Sequence, residues 1–429
     1  MPAEPPSPPQ RLAASAPRAT ALGALREALG PGARTVLLLG LASLLNDISS
    51  EMVLTLLPIF LTGTLGASLA TVGVIEGVAE STAAFMRLAA GRVSDALPRR
   101  LPLVIGGYAA SAITKPLLAF AAGAWAAGGL RFADRLGKGV RSAPRDALIA
   151  DVALAGRRGL AFGVHRSADT VGAVGGVLLA ALVLYLAGAD TALTREQFRS
   201  VALLAAVPGL LAVLLLTRVH ERPRAPRAPA LATTAARPRF GLPSRPAERR
   251  YLLVVFLFAL GNSSDAFIIL RMVDAGIGLT ALLLLVAGRH LVEALLSLPA
   301  SALSDRVGRR RLLFGGFAIY ALIYAGYAAA SSATVVALLT LAYGAYYGAI
   351  EGSSRAFVAD LADPAERGRS FGWYHFVVAV ALLPASIIAG VLWTVSGPGA
   401  AFLFGSACAL LAALLLTTVR PPTASAAGA

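Results

Sequence analysis

The chain has 429 residues, 57% of them hydrophobic and only 14% charged, with a mean hydropathy of +0.72 and a formal charge of +15. A soluble protein carries about a quarter charged residues, so the composition excludes an ordinary soluble domain and points to an all-α membrane protein, because backbone groups in lipid pair within helices. The positive charge does not mark a nucleic-acid binder: the basic residues collect in short loops on alternate sides of long apolar runs.

Residues 1–33 read as a disordered Pro-, Ala- and Arg-rich tail, with no compact signal peptide. Twelve spans follow, at 34–62, 68–90, 101–123, 125–151, 159–188, 197–219, 250–272, 278–302, 311–330, 332–361, 369–394 and 399–419. Most are near the roughly 20 residues that cross a bilayer. Residues 220–249, "HERPRAPRAPALATTAARPRFGLPSRPAER", are too polar to insert and read as a linker. The expected organisation is therefore an N-terminal six-helix bundle over 34–219, a C-terminal one over 250–419, and a tail over 420–429.

Arginine sets the orientation. One set of loops holds Arg92, Arg99, Arg100, Arg157, Arg158, Arg306, Arg309, Arg310, Arg311, Arg367 and Arg369, together with the linker arginines. The opposite set offers only Arg195, Arg199 and Arg271. The positive-inside rule puts both termini and the linker in the cytoplasm. The expected location is a bacterial inner membrane, with the chain acting as a monomer. A lone Cys408 rules out an intramolecular disulfide.

The two halves repeat. "ALIADVALAGRRGLAFGVHR" (147–166) aligns without gaps to "AFVADLADPAERGRSFGWYH" (356–375), which pairs Asp151 with Asp360. "GRVSDALPRR" (91–100) falls on "SALSDRVGRR" (301–310), and "SSE" in span one matches "SSD", Ser263 to Asp265, in span seven. Parallel six-helix repeats are a transporter architecture with a central site between the halves, which makes the fold class two pseudo-symmetric six-helix bundles.

Charged residues inside the spans are the candidate site. Asp47 lies 13 residues past Arg34, roughly 20 Å along a helix and near the bilayer midplane. Glu51 follows at i+4 on the same face. Asp265 has similar depth in span seven. Ionised groups there cost roughly 2.5–3.5 kcal/mol on insertion scales and should face an aqueous cavity, where they can bind substrate or a coupling proton. The plainer reading is that they pair with Lys115, Arg131, Arg135 or Lys138 and hold helices together. Arg135 and Lys138 stand between cavity function and pairing with Asp134. His290 and Glu293, at i and i+3 in span eight, form a candidate proton relay or a structural pair. Glu351 in span ten is a weaker cavity candidate. Tyr343, Tyr346 and Tyr347 suit either aromatic stacking on a substrate or helix packing. His165 and His375 read as structural.

The 2–3 loop resembles the signature of the major facilitator superfamily, Gly-x-x-x-Asp-x-x-Gly-Arg-Lys/Arg: Gly91, Asp95, Arg99 and Arg100 match, while Pro98 replaces the second Gly. The 8–9 loop repeats it with Asp305, Gly308, Arg309 and Arg310, and Ser301 at the first Gly. The resemblance covers about 34–419 and implies that these loops gate the cytoplasmic side. Helix 4 carries the Arg-x-x-x-Gly of drug and proton antiporters at Arg135 to Gly139, and helix 5 carries part of their glycine pattern at Gly163, Gly172 and Gly176. Val177 and Ala180-Ala181 depart from that pattern.

Neither a nucleotide-binding loop nor a Cys/His cluster is present, so no ATP, metal or other cofactor is expected. The resemblance implies a secondary active transporter, not an enzyme. It would move a small organic solute by alternating access, with proton-coupled export favoured. The alternatives are a proton-coupled importer, a sensor or scaffold without flux, and an enzyme acting on lipid-linked substrates at Asp146 and Asp151.

Overall fold

The computed structural model describes residues 29–154, 157–189, 192–221, 223, 242–243, 245–363 and 367–419. Among them every regular element is helical. In chain order the spans are α1 (Gly30–Thr64), α2 (Leu69–Ala96), α3 (Leu101–Phe120), α4 (Ala124–Val152), α5 (Arg158–Leu186) and α6 (Arg195–Leu216). After the linker come α7 (Pro246–Asp274), α8 (Leu279–Val307), α9 (Arg309–Ala329), α10 (Ala333–Leu361), α11 (Arg367–Ser396) and α12 (Pro398–Leu416). Eleven of the described helices are long and apolar enough to cross a membrane. The remaining one, α4, has 29 residues but too many charges, among them Arg131, Asp134, Arg135, Lys138 and Arg141. It packs along both α2 and α3, which turns those charges into protein and away from lipid.

α1–α6 and α7–α12 form two six-helix halves with matching packing. α2 lies on α4 as α8 lies on α10, α3 on α6 as α9 on α12, and α1 on α5 as α7 on α11. The halves meet along α2–α11 and α5–α8, two contacts that exchange under the two-fold repeat. Gly73 on α2 faces the Ser386 carbonyl of α11, and Gly390 on α11 faces the Leu69 carbonyl of α2, with no room for a Cβ at either place. The outer surface is apolar, with Leu186, Leu322 and Val395 each more than 70% exposed, whereas Glu76, Arg131 and Asp134 are buried. That is the inverse of a soluble protein and matches a lipid solvent.

α6 divides at Ala205 into Arg195–Leu204 and Ala206–Leu216; α1 and α7, which are equivalent in the repeat, are broken more deeply. The first segment of α1 ends at Leu54. Pro58 has no N–H for the Leu54 carbonyl, and its ring crowds that oxygen. A short turn over Leu57–Ile59 and a π turn over Phe60–Thr64 complete the span. α7 was expected to run unbroken over 250–272. It divides instead into Pro246–Gly261 and Ala266–Asp274, with Asn262, Ser263 and Ser264 outside any helix between them. The polar triplet ending at Asp265 offers its own hydroxyls and backbone as partners, which competes with a continuous helix. The outer pieces of α1 and α7 pack on each other. They do so at the end of the molecule opposite the one bearing Arg99, Arg100 and Arg309–Arg311, the basic end.

Boundaries shift most at the basic end. α2 runs to Ala96 and α8 to Val307, beyond the expected 90 and 302. α7 begins inside the expected linker at Pro246, just after Arg245, which donates to the Leu361 and Ala362 carbonyls and to Asp363. Most of the expected linker, residues 1–28 and residues 420–429 lie outside the described residues.

Candidate functional site

A cavity of about 660 Å³ lies between the halves. Side chains from α1, α2, α4 and α5 form one wall, and those from α7, α8 and α10 form the other. Of the residues expected there from sequence, Asp47, Glu51, Arg135, Lys138, Asp265, His290 and Glu293 all line it.

On the N-terminal wall, Asp47 accepts from Asn46 Nδ2 at 3.1 Å and Glu51 from Thr55 Oγ1 at 3.1 Å. Both donors belong to their own helix, and neither carboxylate forms an ion pair among the described residues. α1 reaches this position because Gly172 and Gly176 of α5 let the backbone at Leu44 and Ile48 approach where a Cβ would clash. These are two of the three helix 5 glycines picked out in the sequence; the third, Gly163, has nothing near it.

Below them lies an ion-pair network that the sequence reading missed on its acidic side. Arg131 donates Nε to Glu76 Oε1 at 3.0 Å and Nη2 to Glu76 Oε2 at 2.8 Å, a bidentate pair almost fully buried. The same Nη2 reaches Glu80 Oε1 at 3.2 Å, and Arg135 Nε lies 3.2 Å from that oxygen. Glu76 and Glu80 stand at i and i+4 in an apolar helix, the same signal that identified Asp47 and Glu51. Asp134 is buried behind the wall, 3.8 Å from Arg131 and 4.0 Å from Arg135. Lys138 faces the cavity without an ion pair among the described residues.

Lys115 is not on the wall. Its ammonium is fully buried between α3 and α1 and donates to the Asn46 carbonyl at 3.4 Å, to Asn46 Oδ1 at 3.3 Å and to Ser49 Oγ at 3.2 Å. It supports the turn of α1 that carries Asp47.

On the C-terminal wall, Asp265 sits at the break in α7. It accepts from Arg289 Nη1 at 2.6 Å and from the Tyr343 hydroxyl at 3.0 Å. The Arg289 guanidinium also lies over the Tyr343 ring, 5.7 Å from its centroid. His290 Nδ1 is 3.7 Å from Glu293 Oε2. Tyr347 lines the cavity beside Tyr343, whereas Tyr346 packs edge-on against Tyr320 in the helix core. The Glu351 and Asp305 side chains lie outside the described ones. His165 is buried with Nδ1 3.4 Å from Asp169 Oδ2.

Polar contacts cross between the halves at several places among the described residues. Ser81 Oγ on α2 donates to the Ala379 carbonyl on α11 at 3.0 Å. Ser264 Oγ donates to Glu76 Oε2 at 3.2 Å, which joins the α7 break to the Arg131 pair. Arg166 Nη2 lies 3.5 Å from Glu293 Oε1.

The signature loops are each tied within their own half. Arg100 Nη2 bonds Asp95 Oδ1 at 2.9 Å, and its Nε lies 3.7 Å from Asp151. Arg309 pairs with Asp360, the repeat partner of Asp151, and Arg310 donates to the Thr417 carbonyl. Gly308 takes φ +93°, a conformation that favours glycine, as α9 begins. Gly91 packs near Ala143, and Arg99 is exposed. Glu221 was not foreseen. Its two carboxylate oxygens accept from the backbone N–H groups of Arg100 and Leu101, both at 2.8 Å, and cap α3 from the first residues after α6.

Comparison with known proteins agrees with this architecture. A family model described as the Major Facilitator Superfamily matches residues 39–287 and 251–429. An uncharacterised MFS-type transporter of Methanocaldococcus jannaschii is 34% identical over 391 residues, 89% of this chain and 94% of its own length. A variant of the nucleoside transporter NupG superposes with a TM-score of 0.73 at 17% identity, covering 90% of this chain and 99% of its own. A bacterial homologue of the human lysosomal transporter Spinster, in an inward-facing and occupied conformation, gives 0.68 at 18% identity, with 90% and 94% covered.

Proposed function

The chain belongs to the major facilitator superfamily of membrane transporters, and from that premise we propose that it exports a small, polar, charged solute across the cytoplasmic membrane in exchange for protons. The observation that carries this reading is the pair Asp47 and Glu51, two carboxylates on the cavity wall that form no ion pair among the described residues. Each can take up a proton or the cationic part of a solute. Because one occupant excludes the other, occupancy alternates, and alternation of that kind is exchange.

The chemistry of the lining supports a charged solute over an apolar drug. Lys138 offers a positive charge and Asp47 and Glu51 offer negative ones on the same wall. An apolar ligand would leave these groups desolvated without partners. The positive-inside rule supports a cytoplasmic basic end. The cavity reaches Arg87, Asp146 and Arg355 toward that end, while the outer pieces of α1 and α7 pack at the other. Both features fit a state open to the cytoplasm.

The test is transport in proteoliposomes. Counterflow of a polar, charged solute from a panel is expected, with an added rate under an imposed pH gradient. Asp47→Asn with Glu51→Gln should raise the solute concentration that half-saturates counterflow and lose the gradient response. An unchanged gradient response in well-inserted protein refutes the coupling role, and an absence of counterflow across the panel refutes the solute class.

A further inference from the structure

The C-terminal half holds a second cavity of about 610 Å³ at the basic end, apart from the central one. Arg309, Arg310 and Arg311 at the start of α9 line it, together with Phe314 and with Leu416 and Thr417 at the end of α12.

The repeat shows what such a corner holds. "LAVLLLTRVHERP" (211–223) aligns without gaps to "LAALLLTTVRPPT" (411–423), so Thr417 matches Thr217 and Pro421 matches Glu221. Arg310 and Arg311 match Arg100 and Leu101. In the N-terminal half the Glu221 carboxylate fills this corner, held by the N–H groups of Arg100 and Leu101. In the C-terminal half the matching position is proline, and neither 222–247 nor 420–429 contains an Asp or Glu. The corner there has Arg311 in its lining in place of Leu101, and an open cavity where its counterpart has a carboxylate. Arg309 is paired with Asp360 and Arg310 with the Thr417 carbonyl. Arg311 is exposed and forms no ion pair among the described residues.

The position of the mouth selects the anion. Phe314 and Val307 are about 40% exposed beside the arginines, where the apolar outer surface meets the basic end. An anionic headgroup with acyl chains satisfies both surfaces at once. We propose that this pocket binds the phosphate of an acidic phospholipid, which takes the place in the C-terminal half that Glu221 takes in the N-terminal half. The headgroup bridges the start of α9 and the end of α12, and its phosphate diester accepts from the arginine side chains and the first turn of the helix.

The experiment compares hydrogen exchange at 309–314 and at 100–105 in full-length protein. The protein is held in nanodiscs of phosphatidylcholine alone, of phosphatidylcholine with phosphatidylglycerol, and of phosphatidylcholine with added inorganic phosphate. Phosphatidylglycerol should slow exchange several-fold at 309–314 and leave 100–105 unchanged. Arg310→Ala with Arg311→Ala should abolish the protection, and Arg311→Lys should keep part of it. Glu221→Gln should make 100–105 sensitive to phosphatidylglycerol as well. Equal protection of both segments in the unaltered protein, or none at 309–314, overturns the proposal, and this comparison needs no variant to fold. Equal protection by inorganic phosphate overturns the lipid as the source of the anion.

Discussion

α1 and α7 stand at equivalent places in the repeat and carry nearly the same polar triplet, yet their carboxylates live differently. Among the described residues, Asp47 and Glu51 accept hydrogen bonds only from residues of α1 itself. Asp265 is gripped by Arg289 of α8 and Tyr343 of α10. Duplication kept the depth of the acidic group while the partners diverged. In the proposed function, one half holds acids that load and unload, and the other uses its acid to tie a broken helix to its neighbours. Behind Asp265 the C-terminal half adds an aromatic core, with Tyr320 and Tyr324 stacked at 4.1 Å. Behind Asp47 the N-terminal half has Lys115 and the Arg131 network.

The contrast can be broken hardest at Arg131. Arg131→Ala leaves Glu76 without its guanidinium, while Glu80 keeps Arg135, and removal of one partner from a buried pair costs about 3–5 kcal/mol. Thermal unfolding in detergent should show that loss. A cost no greater than that of Arg87→Ala would mean that the N-terminal wall is not organised by this network. Gly176→Leu should cost about 1–3 kcal/mol by overpacking, because the α1 backbone at Ile48 lies against it. Gly163→Leu, with nothing near it, is the control.

The comparison sharpens with transport. Asp47→Asn with Glu51→Gln should lower the gradient-driven rate about tenfold, equivalent to about 1.4 kcal/mol. Asp265→Asn should leave the gradient response in place. Its effect on stability should be the smallest, about 1 kcal/mol or less by the same unfolding measurement, because the Asp265 side chain is 43% exposed and water screens the pair. A larger loss of coupling in Asp265→Asn than in the α1 pair would reverse the division of roles.

The halves, the helical spans and much of the cavity were legible in the sequence, for identifiable reasons. Apolar length marks a span, so only charge-rich α4 needed its neighbours to explain it. Depth is also readable by counting along a helix, which is how Asp47, Glu51 and Asp265 were found. Direction around the helix is not readable without the neighbours, and Lys115, at cavity depth, turns out to be sealed against α1. Glu76 and Glu80 carried a readable i, i+4 signal that was passed over. Glu221 could not have been found this way, because it comes from the edge of the linker and meets α3 only in three dimensions. The break in α7 was hidden because a span's apolar content does not report a turn whose polar residues find their partners on other helices, Asn262 on Tyr320 and Asp265 on Arg289 and Tyr343.

The interruptions in α1 and α7 carry a consequence for the last stage of a transport cycle. Leu57–Thr64 and Ala266–Asp274 are short leaves, each hung on a hinge rather than on a continuous rod. In the proposed cycle they can swing apart on the far side while the long inner segments, Ala33–Leu54 with Asp47 and Glu51 and Pro246–Gly261, stand still as the frame. Solute can then leave a pocket that has kept its shape.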